Sequence, residues 1–238
     1  MSIYDTQVPS EHYDFLRYVD KRRWASFYHQ IKEIFTFNCQ SVLEVGVGTG
    51  ILGVLLKHFG LHYDSVDIDA VRKPTYVGSV LKLPLADSSY DVVVCFQVLE
   101  HICYRDFESA LRELSRVTRG PIILSLPDAG HAWPYKLYIP ILGSMRFLVE
   151  LPRFKLPEHT WDGQHYWEIN TKGYPLKLIL GDIEKAGLKT MKTYRVHEKP
   201  RHRFFVLKDR KKGHGTSNQT FPTIDLLFVT EEKALGDS

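Results

Sequence analysis

The sequence predicts an α/β fold with a doubly wound, mostly parallel sheet. Short apolar runs typical of buried strands alternate with amphipathic segments of helical period between residues 41 and 126. The first run, Ser41–Val45, is followed by three glycines at alternate positions and by an apolar-rich segment. This order predicts a strand, a tight turn and the start of a helix, with room for a ligand against bare peptide.

Composition limits the class of protein. A length of 238 residues suits one α/β domain, and 44% hydrophobic with 25% charged residues is ordinary for a globular protein. The net charge of +3 does not by itself indicate nucleic acid. Three cysteines without C-x-x-C spacing argue against a disulfide framework or a zinc site. Without an apolar signal segment or a membrane-length apolar run, the expected location is the cytoplasm.

The elements follow in order along the chain. Residues 4–37 are aromatic-rich with helical spacing, which predicts a helix that packs on the sheet, or a lid over a ligand. The later elements are predicted as strands at 63–66, 75–80, 92–96 and 121–126, a helix at 106–117, a helix at 171–187 capped by Thr171, and strands at 188–197 and 203–208.

Two registers of the glycine turn point to different ligands. Gly48, Gly50 and Gly53 have the G-x-G-x-x-G spacing of dinucleotide sites, but this register starts too far beyond the strand. The better-placed register is Glu44-x-Gly46-x-Gly48-x-Gly50, with an acid at the strand end. A carboxylate there repels a diphosphate and attracts a cationic ligand.

An acid also ends the second strand. Asp67 is placed to accept hydrogen bonds from the ribose hydroxyls of any adenosine-containing ligand. The alternative role for Asp67 is a helix N-cap, which Asp69 could serve instead.

The stretch from Glu44 to Gly50 resembles the first motif of class I S-adenosylmethionine-dependent methyltransferases of the small-molecule, type 11-like group. The resemblance implies a seven-stranded Rossmann-like sheet and S-adenosylmethionine as cofactor. It assigns the methionine part to Glu44 and the turn, the ribose to Asp67, and the adenine to Ser79, where the family often has Asp, and to Val80. The full set of implied cofactor residues is Glu44, Gly46, Val47, Gly48, Gly50, Asp67, Ile68, Ser79, Val80, Phe96 and Gln97.

The segment after the fourth strand bears on metal binding. Some quinone-related members of the family carry Glu-x-x-Glu-His here and bind a divalent metal. Gln97 replaces the first acid, so no metal is expected, and Glu100 and His101 are expected to hold the loop through hydrogen bonds. The Asp/Asn-Pro-Pro-aromatic motif of enzymes that methylate base amines is absent, so nucleic acid is not expected as a partner.

Residues 127–170 interrupt the alternation and form a predicted substrate-side insertion. Within it, Tyr135–Leu151 is predicted as a helix over the acceptor site, or one resting on a membrane surface. His131 and His165 are the catalytic candidates, because histidine can remove a hydroxyl proton; the alternative is that they are packing histidines. The predicted acceptor is a small molecule or glycan-type compound that offers an oxygen.

The prediction is thus one methyltransferase domain with a helical lid (1–40), the insertion (127–170) and a mobile tail (209–238), in which 221–229 could add an edge strand. Stable membrane insertion is not expected. Two other classes stay open: an NAD-dependent oxidoreductase that uses the displaced glycine register, and a non-catalytic S-adenosylmethionine-binding protein.

Overall fold

The computed structural model describes residues 18–140, 143–151, 155–161, 163–212 and 229–230. Within them the chain forms four α-helices and ten strands. The helices are α1 (Lys21–Phe35), α2 (Ile51–His58), α3 (Phe107–Val117) and α4 (Leu176–Lys185). The strands are β1 (Ser41–Val45), β2 (His62–Asp67), β3 (Tyr76–Val77), β4 (Val92–Phe96), β5 (Ile122–Pro127), β6 (Ala132–Ile139), β7 (Gly143–Glu150), β8 (Leu188–Arg195), β9 (His202–Asp209) and β10 (Val229–Thr230).

Seven strands form the main sheet, in the order β3-β2-β1-β4-β5-β9-β8. The first five strands in this order are parallel, and β9 pairs antiparallel with both β5 and β8. Strands β1, β4 and β5 are buried along their whole length, as expected for parallel strands covered on both faces. The doubly wound fold predicted from the sequence is therefore confirmed.

Helices cover both faces of the sheet. On one face, Leu111 of α3 and Ile179 of α4 belong to a core cluster that also contains side chains of the sheet, such as Leu43. On the other face, Ile34 of α1 joins Leu52 and Leu56 of α2 in a second cluster. The carboxyl ends of the parallel strands therefore lie between two helical layers, at the edge where such sheets bind ligands. No helix in the described ranges is both long enough and apolar enough to cross a membrane.

Helix α1 buries a polar face, which differs from the predicted aromatic one. Ser26, Gln30 and Glu33 are buried beside Ile34, whereas Trp24, Tyr28 and Phe35 of the aromatic stripe are exposed. Buried polar groups need partners. Glu33 has two of them, because Lys192 Nζ and Tyr194 Oη each donate to its carboxylate. The buried face of the helix is therefore formed largely by hydrogen-bonding side chains and not by the predicted aromatic rings. The start of the predicted helical region, residues 4–17, lies outside the described residues.

The insertion contains a β-hairpin where a helix was predicted, so the prediction for Tyr135–Leu151 is wrong. Strands β6 and β7 pair antiparallel over eight residue pairs, from Ala132↔Glu150 to Ile139↔Gly143. Aromatic and β-branched residues favour the extended backbone, and Pro140 with Gly143 marks the turn. Strand β10 pairs with β7 in this second sheet and not at the edge of the main sheet. Residues 221–228 of the predicted edge strand lie outside the described residues.

Helix α4 begins later than predicted. Pro175, and not Thr171, occupies the N-cap position, and the Thr171 hydroxyl donates to Glu168 O at 2.7 Å. The residue before a proline avoids helical dihedral angles, and Gly173 has a positive φ of 92°. The backbone therefore cannot continue helically from 171 to 176.

Candidate active site

The glycine turn after β1 adopts a backbone that requires glycine. Gly46, Gly48 and Gly50 have φ angles of 88°, 53° and 74°, in the left-handed region where a side chain is strained. The Gly46 N–H donates to Val66 O at 2.8 Å, which joins the turn to β2. A Cβ on Gly46 would lie 2.3 Å from Val98 Cγ2. The turn is thus packed tightly between β2 and the segment after β4.

Asp67 connects the end of β2 to the glycine turn. Its carboxylate accepts the Val47 N–H at 2.8 Å and the Asp69 N–H at 2.9 Å. The helix-cap role falls to Asp69, whose side chain accepts the Val71 N–H at 2.9 Å. The alternative role considered for Asp67 is therefore filled by its neighbour.

Glu44 is a buried acid at the same edge of the sheet. Its side chain lies on β1, and the Tyr63 hydroxyl donates to Oε2. Burial raises the pKa of Glu44 to about 8, although the Tyr63 hydrogen bond lowers it and the charge of Asp67 adds to the rise. Without a cation beside it, this carboxyl is therefore largely protonated at neutral pH.

A crevice opens at the carboxyl ends of β1 and β4. It has a volume of about 40 Å³ in this conformation. Its lining comes from α1 and the residue Tyr18 before it, from β1, the glycine turn and the start of α2, and from the ends of β4 and β9: Tyr18, Arg23, Ser26, Phe27, Gln30, Glu44, Gly46, Val47, Gly48, Thr49, Leu52, Phe96, Gln97 and His202.

Arg23 and Tyr18 form one wall of this crevice. Arg23 Nη1 donates to Tyr18 Oη at 2.8 Å, and the guanidinium lies 3.8 Å from the centroid of the Tyr18 ring. Arg23 Nε is buried and has no hydrogen-bond partner among the described residues. A buried cationic donor without a partner costs free energy unless an acceptor arrives. An anionic group placed beside this atom would supply the missing acceptor.

α1 and β9 bring polar groups to the crevice that were not predicted from the sequence. The Ser26 hydroxyl lies 3.0 Å from His202 Nδ1, and both residues are buried. Burial lowers the pKa of His202 well below its usual range, with the charges of Lys199 and Arg23 acting in the same direction. Because β9 runs antiparallel to β5, its first residue lies opposite Pro127 at the ligand-binding edge. The available signal was the i, i+4 pair Ser26 and Gln30 within an otherwise aromatic helix.

The crevice gathers only some of the predicted cofactor residues. Glu44, the turn from Gly46 to Gly48, Phe96 and Gln97 line it. Gln97 has a φ of 55°, unusual for a residue with a side chain, and its Nε2 donates to Ser125 Oγ at 3.2 Å. The Asp67 carboxylate contacts the turn through the hydrogen bond that it accepts from the Val47 N–H. The predicted residues that do not line the crevice are Gly50, Asp67, Ile68, Ser79 and Val80.

The predicted adenine residues lie beyond this crevice. The Ser79 hydroxyl accepts the Leu81 N–H at 3.2 Å, and Val80 is buried in the core. Ile68 is partly exposed just after β2. These residues follow β2 and β3 and not β1, which accounts for their separation from the glycine turn.

The two histidines predicted as catalytic lie in different surroundings. His131 is exposed and lines a second, larger cavity beside β5. His165 Nδ1 lies 2.9 Å from Glu168 Oε1, and its ring is 5.2 Å from that of His101. Neither histidine lines the crevice that holds Glu44.

Glu100 is fully buried near His165. Both of its carboxylate oxygens lack a hydrogen-bond partner among the described residues, so its side chain does not hold the loop as predicted. His101 does, because its Nδ1–H donates to Gln164 O at 2.9 Å. Burial raises the pKa of Glu100 to about 8, and the nearby His165 partly offsets this. The carboxyl is therefore largely neutral near pH 7, which reduces the cost of burying it.

Ligand atoms of Glu100, His101 and His165 lie within 4.8 Å of one another. This spacing could hold a metal ion. Gln97, at the position of the first acid of the metal-binding motif, supplies an amide that donates to Ser125, so that position offers no carboxylate.

Comparisons with known proteins agree with this geometry. Residues 43–121 match the family model described as a methyltransferase domain. A probable S-adenosylmethionine-dependent methyltransferase of Mycolicibacterium smegmatis is 32% identical over 123 residues, covering 46% of this chain and 47% of that protein. A second, of Mycobacterium tuberculosis, is 36% identical over 101 residues, covering 37% of this chain and 36% of that protein. The aligned region thus spans about half or less of the length of these curated relatives.

Solved structures share the fold over most of the chain. An S-adenosylmethionine-dependent methyltransferase from Clostridium acetobutylicum superposes with a TM-score of 0.54 at 13% identity, covering 84% of this chain and 96% of that chain. The glycopeptide N-methyltransferase MtfA, complexed with S-adenosylhomocysteine, gives a TM-score of 0.53 at 14% identity, covering 81% of this chain and 91% of that chain. At such identities the likeness concerns the fold.

Proposed function

We propose that this chain, which carries a class I S-adenosylmethionine-dependent methyltransferase domain, transfers a methyl group to an oxygen of a small-molecule or glycan-type acceptor. One observation gives the strongest support to this proposal. A buried acid, a glycine turn and an unpartnered cationic donor, Arg23 Nε, face the same crevice at the carboxyl ends of β1 and β4. The methionyl end of the cofactor carries an ammonium and a carboxylate, so these groups are complementary to it.

The proposed cofactor contacts follow from this complementarity. Glu44 and the carbonyls of the turn take the ammonium, and Arg23 takes the carboxylate, exchanging its contact with Tyr18 for a charge-assisted hydrogen bond. Asp67 accepts from the ribose hydroxyls with the lone pairs that Val47 and Asp69 leave available, since a carboxylate offers about four acceptor sites. The adenine is proposed to lie towards Ser79, Val80 and Ile68.

Helix α1 is proposed to act as a lid. A crevice of about 40 Å³ is far smaller than the 300 Å³ or more of typical ligand pockets. Tyr18 lies just before α1 and Arg23 lies in its first turn, and their mutual contact narrows the crevice. We propose that they move apart when the cofactor enters and then cover it. The closed lid keeps water out, while the bound cofactor supplies an already activated methyl group.

The transfer to oxygen also requires that the acceptor lose a proton. His202 is a proposed proton acceptor, because it lines the crevice beside Gln97. In the tautomer whose Nδ1–H donates to Ser26 Oγ, Nε2 carries the lone pair for this step. His131 and His165 stay proposed participants in acceptor binding and proton transfer.

The free cysteines, Cys39, Cys95 and Cys103, favour a reducing compartment, so the cytoplasm is the proposed place of action.

The test is turnover on a panel of acceptors. The full chain is incubated with methyl-labelled S-adenosylmethionine and phenols, hydroxy acids, sugars and amines, and S-adenosylhomocysteine release is measured. Release with hydroxyl acceptors supports the proposal, whereas release with amines alone contradicts the choice of oxygen. Cofactor binding without turnover on any acceptor contradicts catalysis. Enhanced NADH fluorescence without S-adenosylhomocysteine binding would instead indicate an oxidoreductase.

A further inference from the structure

A second cavity lies next to the crevice, on the other side of the start of α1. It has a volume of about 700 Å³, within the range of small-molecule sites. Its lining comes from α1, the segment between β5 and β6, and the β8–β9 connection: Lys21, Arg22, Ala129, Gly130, His131, Ala132, Trp133, Pro134, Arg195, His197, Glu198, Pro200 and Arg201.

Residues adjacent in the sequence line the two cavities. Arg22 lines the second cavity, and Arg23 lines the crevice. In the β8–β9 connection, Arg201 lines the second cavity, and the next residue, His202, lines the crevice. The two cavities therefore share two chain segments as borders.

The second cavity carries an excess of positive charge at its rim. Lys21, Arg22 and Arg201 are exposed, and in the described ranges none of them has a carboxylate within the 4.0 Å ion-pair distance. The acid on the lining, Glu198, is engaged by Arg146 Nη1 at 2.8 Å. Cations without acidic partners around a concave site concentrate anions there.

The acids near this cavity are held by other arginines. Arg203 Nε donates to Asp128 Oδ2 at 2.6 Å, and its Nη2 donates to Glu150 at 2.9 Å. Arg195 forms part of the floor and donates to the Gly130 carbonyl at 2.6 Å. The acids of the floor are thus paired with arginines. At the rim, the charge of Asp20 offsets part of that of Arg22, and the net charge of the rim stays positive.

Lys199, two residues before Arg201 in the β8–β9 connection, also has several cations nearby. The pKa of Lys199 is lowered to about 8, chiefly by burial, with the charges of Arg23 and Arg22 acting in the same direction and that of Asp20 opposing them. A positive potential that makes protonation of a lysine less favourable also attracts an anion.

An aromatic face completes the second cavity. Trp133 lines it and is about half exposed, at 53%. Tryptophan stacks on planar rings, and a site that combines one with fixed cations suits an aromatic or other ring-bearing anion.

We infer that the second cavity binds the methyl acceptor, and that this acceptor carries a phosphate or carboxylate group held by Lys21, Arg22 and Arg201. The inference rests on the proposed function, which supplies the reaction, and it adds the charge of the acceptor. The acceptor enters with its anionic group at the rim and its ring on Trp133, and its reacting hydroxyl faces the crevice past His202.

The test uses ring compounds that differ in charge. Phenyl phosphate, benzoate and phenol are titrated into the full chain at constant ionic strength, with calorimetry as the readout. Phenyl phosphate, benzoate or both are expected to bind, and whichever binds more tightly identifies the anionic group. Phenol is expected to bind at least about tenfold more weakly than the tighter anion, since a charge-assisted contact contributes about 1.5–3 kcal/mol. Equal affinity for phenol and both anions would overturn the inference.

Variants separate this inference from the proposed function. Arg22→Gln combined with Arg201→Gln is expected to weaken anion binding at least about tenfold. Lys177→Gln, an exposed lysine on α4 remote from both cavities, is the matched control and should have no effect. Both variants should still bind S-adenosylhomocysteine. Cofactor binding without anion binding contradicts only the inference, whereas anion binding without cofactor binding contradicts only the proposed function.

Discussion

The Asp67 carboxylate accepts the backbone N–H of Val47 at 2.8 Å, and so links the carboxyl ends of β2 and β1. This contact fixes the glycine turn against the edge where the ligand is proposed to bind. An acid that is predicted from the sequence to bind a ribose thus also has a structural role. Substituting it will affect both the ligand contact and the shape of the turn.

Arg23 should distinguish ligands that have a methionyl carboxylate from those that lack it. Arg23→Gln is expected to weaken S-adenosylhomocysteine binding by about 10- to 100-fold, as one charged hydrogen bond is lost. Binding of 5′-methylthioadenosine, which has no such carboxylate, should hardly change. Calorimetry with both ligands measures the contrast, and Lys32→Gln on the same helix is the control. An equal loss for both ligands would show that Arg23 does not contact the carboxylate.

Glu44 should make cofactor binding depend on pH. Burial holds its pKa at about 8, so it is protonated in the free protein near neutral pH. A bound ammonium favours the ionised form, so binding releases a proton, and affinity rises with pH by up to about tenfold per unit until the pKa is passed. Calorimetry in buffers of different ionisation enthalpy measures the release. Glu44→Gln should abolish it; release that persists in this variant would assign the proton elsewhere.

Trp167 should be a core residue although it lies in the insertion. It is fully buried, contacts the rings of Tyr104 and Phe107 edge-on, and donates to the Ile102 carbonyl at 3.2 Å. Trp167→Ala is expected to lower the free energy of unfolding by about 3–5 kcal/mol in urea denaturation. The exposed Trp161 is the control, and its substitution should cost less than about 1 kcal/mol. Similar losses for both would contradict this placement.

Asp91 should stabilise the protein only above acidic pH. Burial alone would raise its pKa, but Arg119 and the amides of Gln40 and Ser41 outweigh this and lower it to about 2. A lowered folded-state pKa gives stability that is present above the usual value of 3.8 and is lost as the pH falls towards 2. Asp91→Ala should therefore cost about 1–2 kcal/mol near neutral pH, after allowance for partial exposure. The difference should shrink as the pH falls from about 4 towards 2. Over this range the carboxyl group is already protonated in the unfolded chain, where its pKa is 3.8, but is still ionised in the folded protein, where its pKa is about 2.

Urea denaturation over this pH range checks the prediction. Asp87→Ala is the matched control, because Asp87 is 76% exposed and its ion pair is with Arg116. A cost of Asp91→Ala that is independent of pH would contradict the assignment to its charge.

The sheet could be predicted from the sequence because its central strands β1, β4 and β5 are short, largely apolar runs that end at turns. The positions of Glu44, Asp67 and Gln97 at one edge follow from that topology alone. The β6–β7 hairpin was mistaken for a helix, because an exposed hairpin has no buried face to impose a strict alternation. His202 was missed because its role depends on β9 running antiparallel to β5, a long-range pairing that no local pattern encodes.

The central claim is that an adenosine compound with a charged methionyl end binds where the glycine turn meets Asp67. Calorimetric titration of the full chain with S-adenosylhomocysteine tests it most directly. The wild-type chain is expected to bind, and Asp67→Ala is expected to weaken binding at least about tenfold, while Asp69→Ala should have a much smaller effect. No binding by the wild-type chain, or unchanged binding after Asp67→Ala, would contradict it.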